Sequence, residues 1–191
     1  MLCLNLRAFS KAILETKPSD NQFQLENGLR VYLLPSPRAS LSAAVLAVKA
    51  GTSQETQETN GYLHLLEHCL IFRQHGLTGG DQPFKEIRDY GLYYNAHTEP
   101  DLMFFEICLS SEHLIQGLSL LKQIVFNFDL KEPDLESEKA IILKELADLF
   151  RVPQKVGLSK LYQLVFPETG YALPSFGNPE IIKKANLDSL R

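Results

Sequence analysis

Only three cysteines occur in the chain, Cys3, Cys69 and Cys108, and no two of them form a CxxC pair. That is too few and too scattered for a disulfide framework, and it suits a reducing compartment. There is no basic block of the kind that tracks a phosphate backbone: 19 basic and 23 acidic residues are mixed along the chain for a formal net charge of −4. A nucleic-acid partner is therefore not expected. The longest apolar runs, such as Leu41 to Val48, fall far short of the roughly 20 residues needed to span a bilayer, so a soluble chain with no membrane partner is expected. No signal peptide is visible, which makes a cytoplasmic location the expectation. The first fourteen residues lack acidic side chains and carry Arg7, Ser10 and Lys11, a loose likeness to an organelle presequence. An N-terminal arm over residues 1–20, lying on the domain, is the plainer reading. Internal repeats, low-complexity segments and linkers are also missing.

With 191 residues, 45% of them hydrophobic, the chain can bury the core of one substantial domain. Phe23 to Leu34 alternates in polarity about Asn27-Gly28, which predicts an antiparallel hairpin ended by Pro35 to Pro37. Leu41 to Lys49 predicts a strand, and Gly51 to Asn60 a loop whose Thr59 or Asn60 caps the next helix. His75 to Gln82 reads as a loop and Pro83 to Tyr90 as a short helix stopped by Gly91. Tyr93 to Thr98 and Leu102 to Leu109 read as strands about the turn Glu99-Pro-Asp101. Helical periodicity then covers Ser111 to Asn127, with an apolar stripe of Leu114, Ile115, Leu118, Leu121 and Val125. It also covers Glu132 to Phe150, with Leu135, Ile141, Ile142, Leu146 and Leu149. Shorter helices follow at Gln154 to Val165 and Pro179 to Lys184. Strands followed by helices predict one α+β domain over residues 21–191, a mostly antiparallel β-sheet packed against helices.

The chemistry concentrates in Gly61-Tyr-Leu-His-Leu-Leu-Glu-His-Cys69. On a helix His64 and His68 stand four apart on one face, so both imidazoles can converge on one zinc ion while Glu67 reaches a water beside it. This order inverts the commoner HExxH. A catalytic zinc takes three protein ligands and keeps an open position. Glu138 and Glu145, seven apart and so about 10 Å along one helix face, are candidates for the third. Either could ligate; the other would orient a histidine or Glu67 from behind.

From about Phe23 onward the chain resembles the pitrilysin and insulinase family of zinc peptidases, which includes mitochondrial processing peptidase. The match is carried by His64-Leu-Leu-Glu-His68, followed after 76 residues by Glu145, and by Glu138 seven residues before it. Asn27-Gly28-Leu-Arg-Val, Gly51 with Glu55, Gly61, Tyr94-Asn95-Ala96 with Thr98, and Phe176-Gly177 extend it.

The resemblance implies a pitrilysin-like half-domain in which His64, His68 and Glu145 bind one zinc per chain and Glu67 is the general base, with Glu138 as an additional catalytic glutamate. It further implies that the strand around Asn95 and Ala96 pairs with an extended peptide substrate. A second homologous domain or subunit would supply an Arg and Tyr pair that holds the substrate carbonyl. The chain is expected to be truncated before its closing strand, with Asn186 capping a last helix start, and to hydrolyse peptides poorly without its companion.

Cys69 stands where the family has Met, and the loop from Phe72 to Gln82 departs from the family pattern. Cys69 is expected to be a buried small apolar residue. The alternative to a peptidase is a non-catalytic structural or peptide-binding subunit that keeps the fold, against which the intact ligand set argues. Plain surface or structural roles are expected for His75, His97 and His113. Solvated faces are expected for Glu106, Lys139 and Lys144, and of Phe104 and Phe105 one should be core and one outward.

Overall fold

The computed structural model describes residues 21–71, 93–127 and 129–190. The expected N-terminal arm, Cys3, the expected loop from His75 and the expected helix over 83–90 lie outside the described residues. Around Asn27-Gly28 the predicted hairpin is present: β1 (Gln22–Gln24) pairs antiparallel with β2 (Arg30–Tyr32), Phe23 opposite Val31. Asn27 Oδ1 accepts from the Leu29 amide at 3.1 Å, the local side-chain bond that makes Asn a turn former.

A second sheet holds β3 (Leu41–Val48), β4 (Tyr93–Thr98) and β5 (Met103–Ser110) in the order β3-β5-β4, which among the described residues puts β4 at an edge. β5 alternates strictly, burying Met103, Phe105, Ile107 and Leu109 and leaving Phe104 half-buried, as a strand with one core face must. The turn from β4 to β5 is closed by the Glu99 amide donating to Leu102 O at 2.8 Å.

The helices are α1 (Tyr62–Ile71), α2 (Leu114–Phe126), α3 (Glu132–Leu149), α4 (Pro153–Val165) and α5 (Pro179–Lys184). α2 begins three residues later than periodicity predicts because Ser111–His113 make a 3-10 turn. Its buried face is Leu118, Leu120, Leu121 and Ile124, while Ile115 is exposed. On α3, Leu135, Ile142 and Leu146 are wholly buried and Ile141 is exposed. Successive helical residues point about 100° apart, so of two adjacent isoleucines only one can face a neighbour squarely. Lys139 is also placed differently from the expectation of a solvated side chain. It is buried, and its ammonium donates to Ala185 O at 3.0 Å and to Glu136 at 2.7 Å. The long stem of lysine lies along apolar surface while its head finds acceptors. Among the described residues no helix is long and apolar enough to cross a membrane.

Two compact units divide the described residues. The first takes residues 21–44, 93–94 and 107–127, and its core is built on Val31 and Leu118 with Phe23, Leu25, Leu29, Leu33, Ala44 and Leu114 around them. The second takes 45–71, 95–106 and 129–190. There α1 lies against α3 through Leu65, Cys69, Leu135, Ile142 and Leu146, with Ile182 and Ala185 completing the cluster. Each such aliphatic side chain contributes about 1.5–3 kcal/mol on burial, so this contact is what fixes α1. Cys69 is fully buried in it, as a small apolar residue would be.

Candidate metal centre

α1 starts without a side-chain cap from Thr59 or Asn60, contrary to expectation. Thr59 Oγ1 instead accepts from the Thr56 amide at 2.9 Å, and Asn60 Nδ2 donates to Pro174 O at 3.1 Å. The capping group is Glu55. Its Oε2 accepts from the Gly61 amide at 2.9 Å and from Asn60 Nδ2 at 3.1 Å, and its Oε1 accepts from the Leu63 amide at 2.8 Å. A carboxylate is the best match for the positive end of a helix, and it serves here from outside the usual cap position. Burial pushes the Glu55 pKa up, opposed by the bonds from Leu63, Gly61 and Asn60.

One turn into α1 the two histidine rings meet edge to face, with centroids 5.0 Å apart. His64 Nδ1 lies 3.0 Å from Phe176 O, so its N–H donates to that carbonyl and the lone pair sits on Nε2. Phe176 is held there by Gly177, which has φ 101° and approaches Gly61, φ 103°, so closely that a Cβ on Gly177 would lie 2.6 Å from Gly61 Cα. Only glycine accommodates both the left-handed backbone and the contact.

His68 is buried between two α3 carboxylates, with Nδ1 3.4 Å from Glu138 Oε2 and Nε2 3.4 Å from Glu145 Oε2. Burial, and then the neighbouring His64, lower its pKa to about 4. His68 is therefore neutral at pH 7, with Nδ1 toward Glu138 and Nε2 toward Glu145. The seven-residue spacing on α3 is what lets one carboxylate meet each side of a single ring. Glu138 is buried and its pKa is pushed up, by burial first and by Asp134 second. Glu145 is the more open, its side chain 43% exposed.

Ligand atoms of His64, His68 and Glu145 all lie within 4.8 Å of one another. An imidazole lone pair facing a carboxylate oxygen repels it unless a cation stands between them. Ligands at about 2.0–2.2 Å around a tetrahedral zinc stand about 3.4 Å apart, close to the separation of His68 Nε2 and Glu145. The donor set thus fits a divalent metal with an N, N, O preference.

Glu67 is buried on the same helix and accepts from Thr98 Oγ1 at 2.6 Å. Asn95 is half-buried and Ala96 buried on the edge strand β4. His97 and Glu106 face each other at 3.7 Å, and His113 lies 3.5 Å from Glu112. His75 lies outside the described residues. Sequence reasoning did not anticipate Glu55 as the cap, the Phe176 carbonyl on His64, or Thr98 on Glu67. The Phe176 carbonyl is a backbone group, which leaves no side-chain pattern to read; Glu55, Thr98 and Phe176 stood out only as isolated matches in the resemblance.

A family model described as insulinase, peptidase family M16, matches residues 30–178. A Rickettsia bellii protein named an uncharacterized zinc protease is 27% identical over 90% of this chain and 42% of its own length. The Bos taurus mitochondrial-processing peptidase subunit beta is 29% identical over 87% of this chain and 34% of its own. The fold is shared with a Pseudomonas fluorescens structure described as an M16 peptidase inactive domain, at TM-score 0.78 and 18% identity, over 88% of this chain and 41% of that one. The chain thus spans less than half the length of these proteins. Since the same fold occurs in a domain named inactive, the fold by itself does not settle activity; the side chains of the site must. With the family model covering most of its length, this chain belongs to the insulinase family of peptidases, M16.

Proposed function

We propose that this chain is the metal-bearing domain of a zinc endopeptidase, with His64, His68 and Glu145 as the ligands of one zinc ion and Glu67 as the general base. The observation that supports this reading is the convergence of three side chains of metal-ligating type, with each imidazole's Nδ1 facing an oxygen, Phe176 O at 3.0 Å and Glu138 Oε2 at 3.4 Å. Zinc, when bound, supplies Lewis acidity, making a water acidic and polarising a peptide carbonyl. The chain's own groups do the rest. Phe176 O and Glu138 hold the two rings so that each Nε2 lone pair is presented inward, which gives Glu138 an orienting role. Glu67 takes the proton from the attacking water and passes it to the departing amine nitrogen, so that the peptide C–N bond breaks as the new C–O bond is retained.

β4, at an edge of its sheet among the described residues, is the place for the substrate backbone. An extended peptide added beside Asn95 and Ala96 would gain main-chain hydrogen bonds available from any sequence, so peptides or unfolded segments are the substrate class. A second homologous domain or subunit completes the chamber and supplies an Arg and Tyr pair for the carbonyl oxygen; the naming of a relative as a subunit supports this. Alone, the chain hydrolyses peptides poorly, because water exclusion and carbonyl stabilisation come from the companion domain or subunit.

Metal analysis of the purified chain beside Glu145→Gln and Glu67→Gln tests the assignment. One zinc per wild-type chain, loss in the first variant and retention in the second are expected, with both variants inactive in the presence of a companion domain. Equal zinc content in wild type and Glu145→Gln would refute the ligand set.

A further inference from the structure

Resting on the reading of Glu67 as general base, we infer that Thr98 is a positioning residue that assigns separate tasks to the two oxygens of Glu67 and ties that base to the substrate strand. The Thr98 hydroxyl donates to Oε2 at 2.6 Å, a short charge-assisted bond on a buried carboxylate. A glutamate's last torsion is a soft, two-fold rotor. A donor fixed on one oxygen stops that rotor and leaves the other oxygen, Oε1, for the proton of the attacking water.

The donor is itself held. Thr98 is the last residue of β4, and the turn behind it is bound on several sides. The Thr52 amide donates to Glu99 O at 3.1 Å, and the Ser53 amide to Pro100 O at 2.8 Å. The Asp101 carboxylate accepts from both the Ser53 and the Tyr171 hydroxyls. A threonine on a free hairpin end could swing away from Glu67; this one is clamped by residues 52–53 and 171. Asn95 and Ala96 precede it by three and two residues on the same strand. A peptide seated along β4 is thereby placed in register with the oxygen that Thr98 leaves open.

Thr98→Val removes the hydroxyl at nearly constant volume and keeps a β-branched residue in the strand; Thr98→Ser keeps the hydroxyl. The chain labelled with ¹³C at glutamate Cδ gives a resonance for Glu67 that is identified by its loss in Glu67→Gln. Thr98→Val is expected to move that resonance and Thr98→Ser to leave it near the wild-type position, with zinc content equal in all three. In the assembly with a companion domain, Thr98→Val should lower kcat by 10- to 100-fold with KM within about threefold, the size of effect that misplacing a catalytic group by a fraction of an ångström produces, and Thr98→Ser should restore kcat to within about threefold. An unmoved Glu67 resonance in Thr98→Val, or loss of zinc from it, would overturn the inference. Absence of zinc from the wild-type chain would instead count against the metallopeptidase reading, and the carboxyl resonance would still report whether Thr98 holds Glu67.

Discussion

Replacing Gly177 by alanine separates backbone geometry from composition. At φ 101° an L-residue is strained by about 1–2 kcal/mol. Its Cβ would also stand 2.6 Å from Gly61 Cα and 3.1 Å from Ile182 Cδ1. Overpacking against backbone that cannot swing aside adds about 1–3 kcal/mol. The sum is a loss near 3 kcal/mol, on the order of a fifth to three fifths of a typical domain's stability. The same substitution at Gly157 has the opposite sign. That residue is inside α4 with nothing within 4 Å of an added Cβ, so exchanging glycine for alanine should raise stability by about 0.8–1 kcal/mol. Urea unfolding of the metal-free chains reads the difference: with a slope of about 2 kcal/mol/M, the two midpoints should differ by about 2 M at unchanged slope. Because Phe176 O is carried by the same turn and accepts from His64 Nδ1, zinc affinity should also fall roughly tenfold in Gly177→Ala and stay put in Gly157→Ala. A Gly177→Ala chain within 1 kcal/mol of wild type would refute the close approach of Gly61 and Gly177, and with it the account of how His64 is oriented.

Acid should destabilise the metal-free chain through His68. Its folded pKa of about 4 lies below the ordinary 6.5, so between these values the unfolded state binds the extra proton and stability falls as pH drops. The full window corresponds to roughly 3 kcal/mol, and urea unfolding in chelator at pH 7, 6 and 5 should show a shallower decline in His68→Gln; parallel declines would refute it. Ile142→Ala should lose about 2–5 kcal/mol, while Ile141→Ala, half-exposed on the same turn, should lose less than 1 kcal/mol; equal losses in thermal unfolding would contradict the facing of α3.

Much of this was decided locally. Asn27-Gly28 makes a turn wherever two β-favouring runs flank it, and the four-residue spacing of His64 and His68 puts both on one side of any helix. The periodicity of 132–149 is enough to predict a helix, and Glu138 and Glu145 must then share a face of it. These are consequences of period and propensity, which depend only on near neighbours in the chain. Tertiary packing decided which of two adjacent isoleucines was buried, because the position of α1 on α3 is a long-range fact. It made Glu55 the cap of α1, although Thr59 and Asn60 are nearer, because a loop folded back can bring a carboxylate to a helix end that nearby side chains face away from. It buried Lys139 where a carbonyl was waiting. It also sorted the glutamates of α3 between the two nitrogens of one imidazole, and brought Phe176 and Thr98 to a helix from which more than a hundred and some thirty residues of chain separate them. Sequence spacing determined that His64 and His68 share one helix face, and only the fold could bring Glu145 to them and orient both rings, since ring orientation is set by groups contributed from elsewhere in the chain.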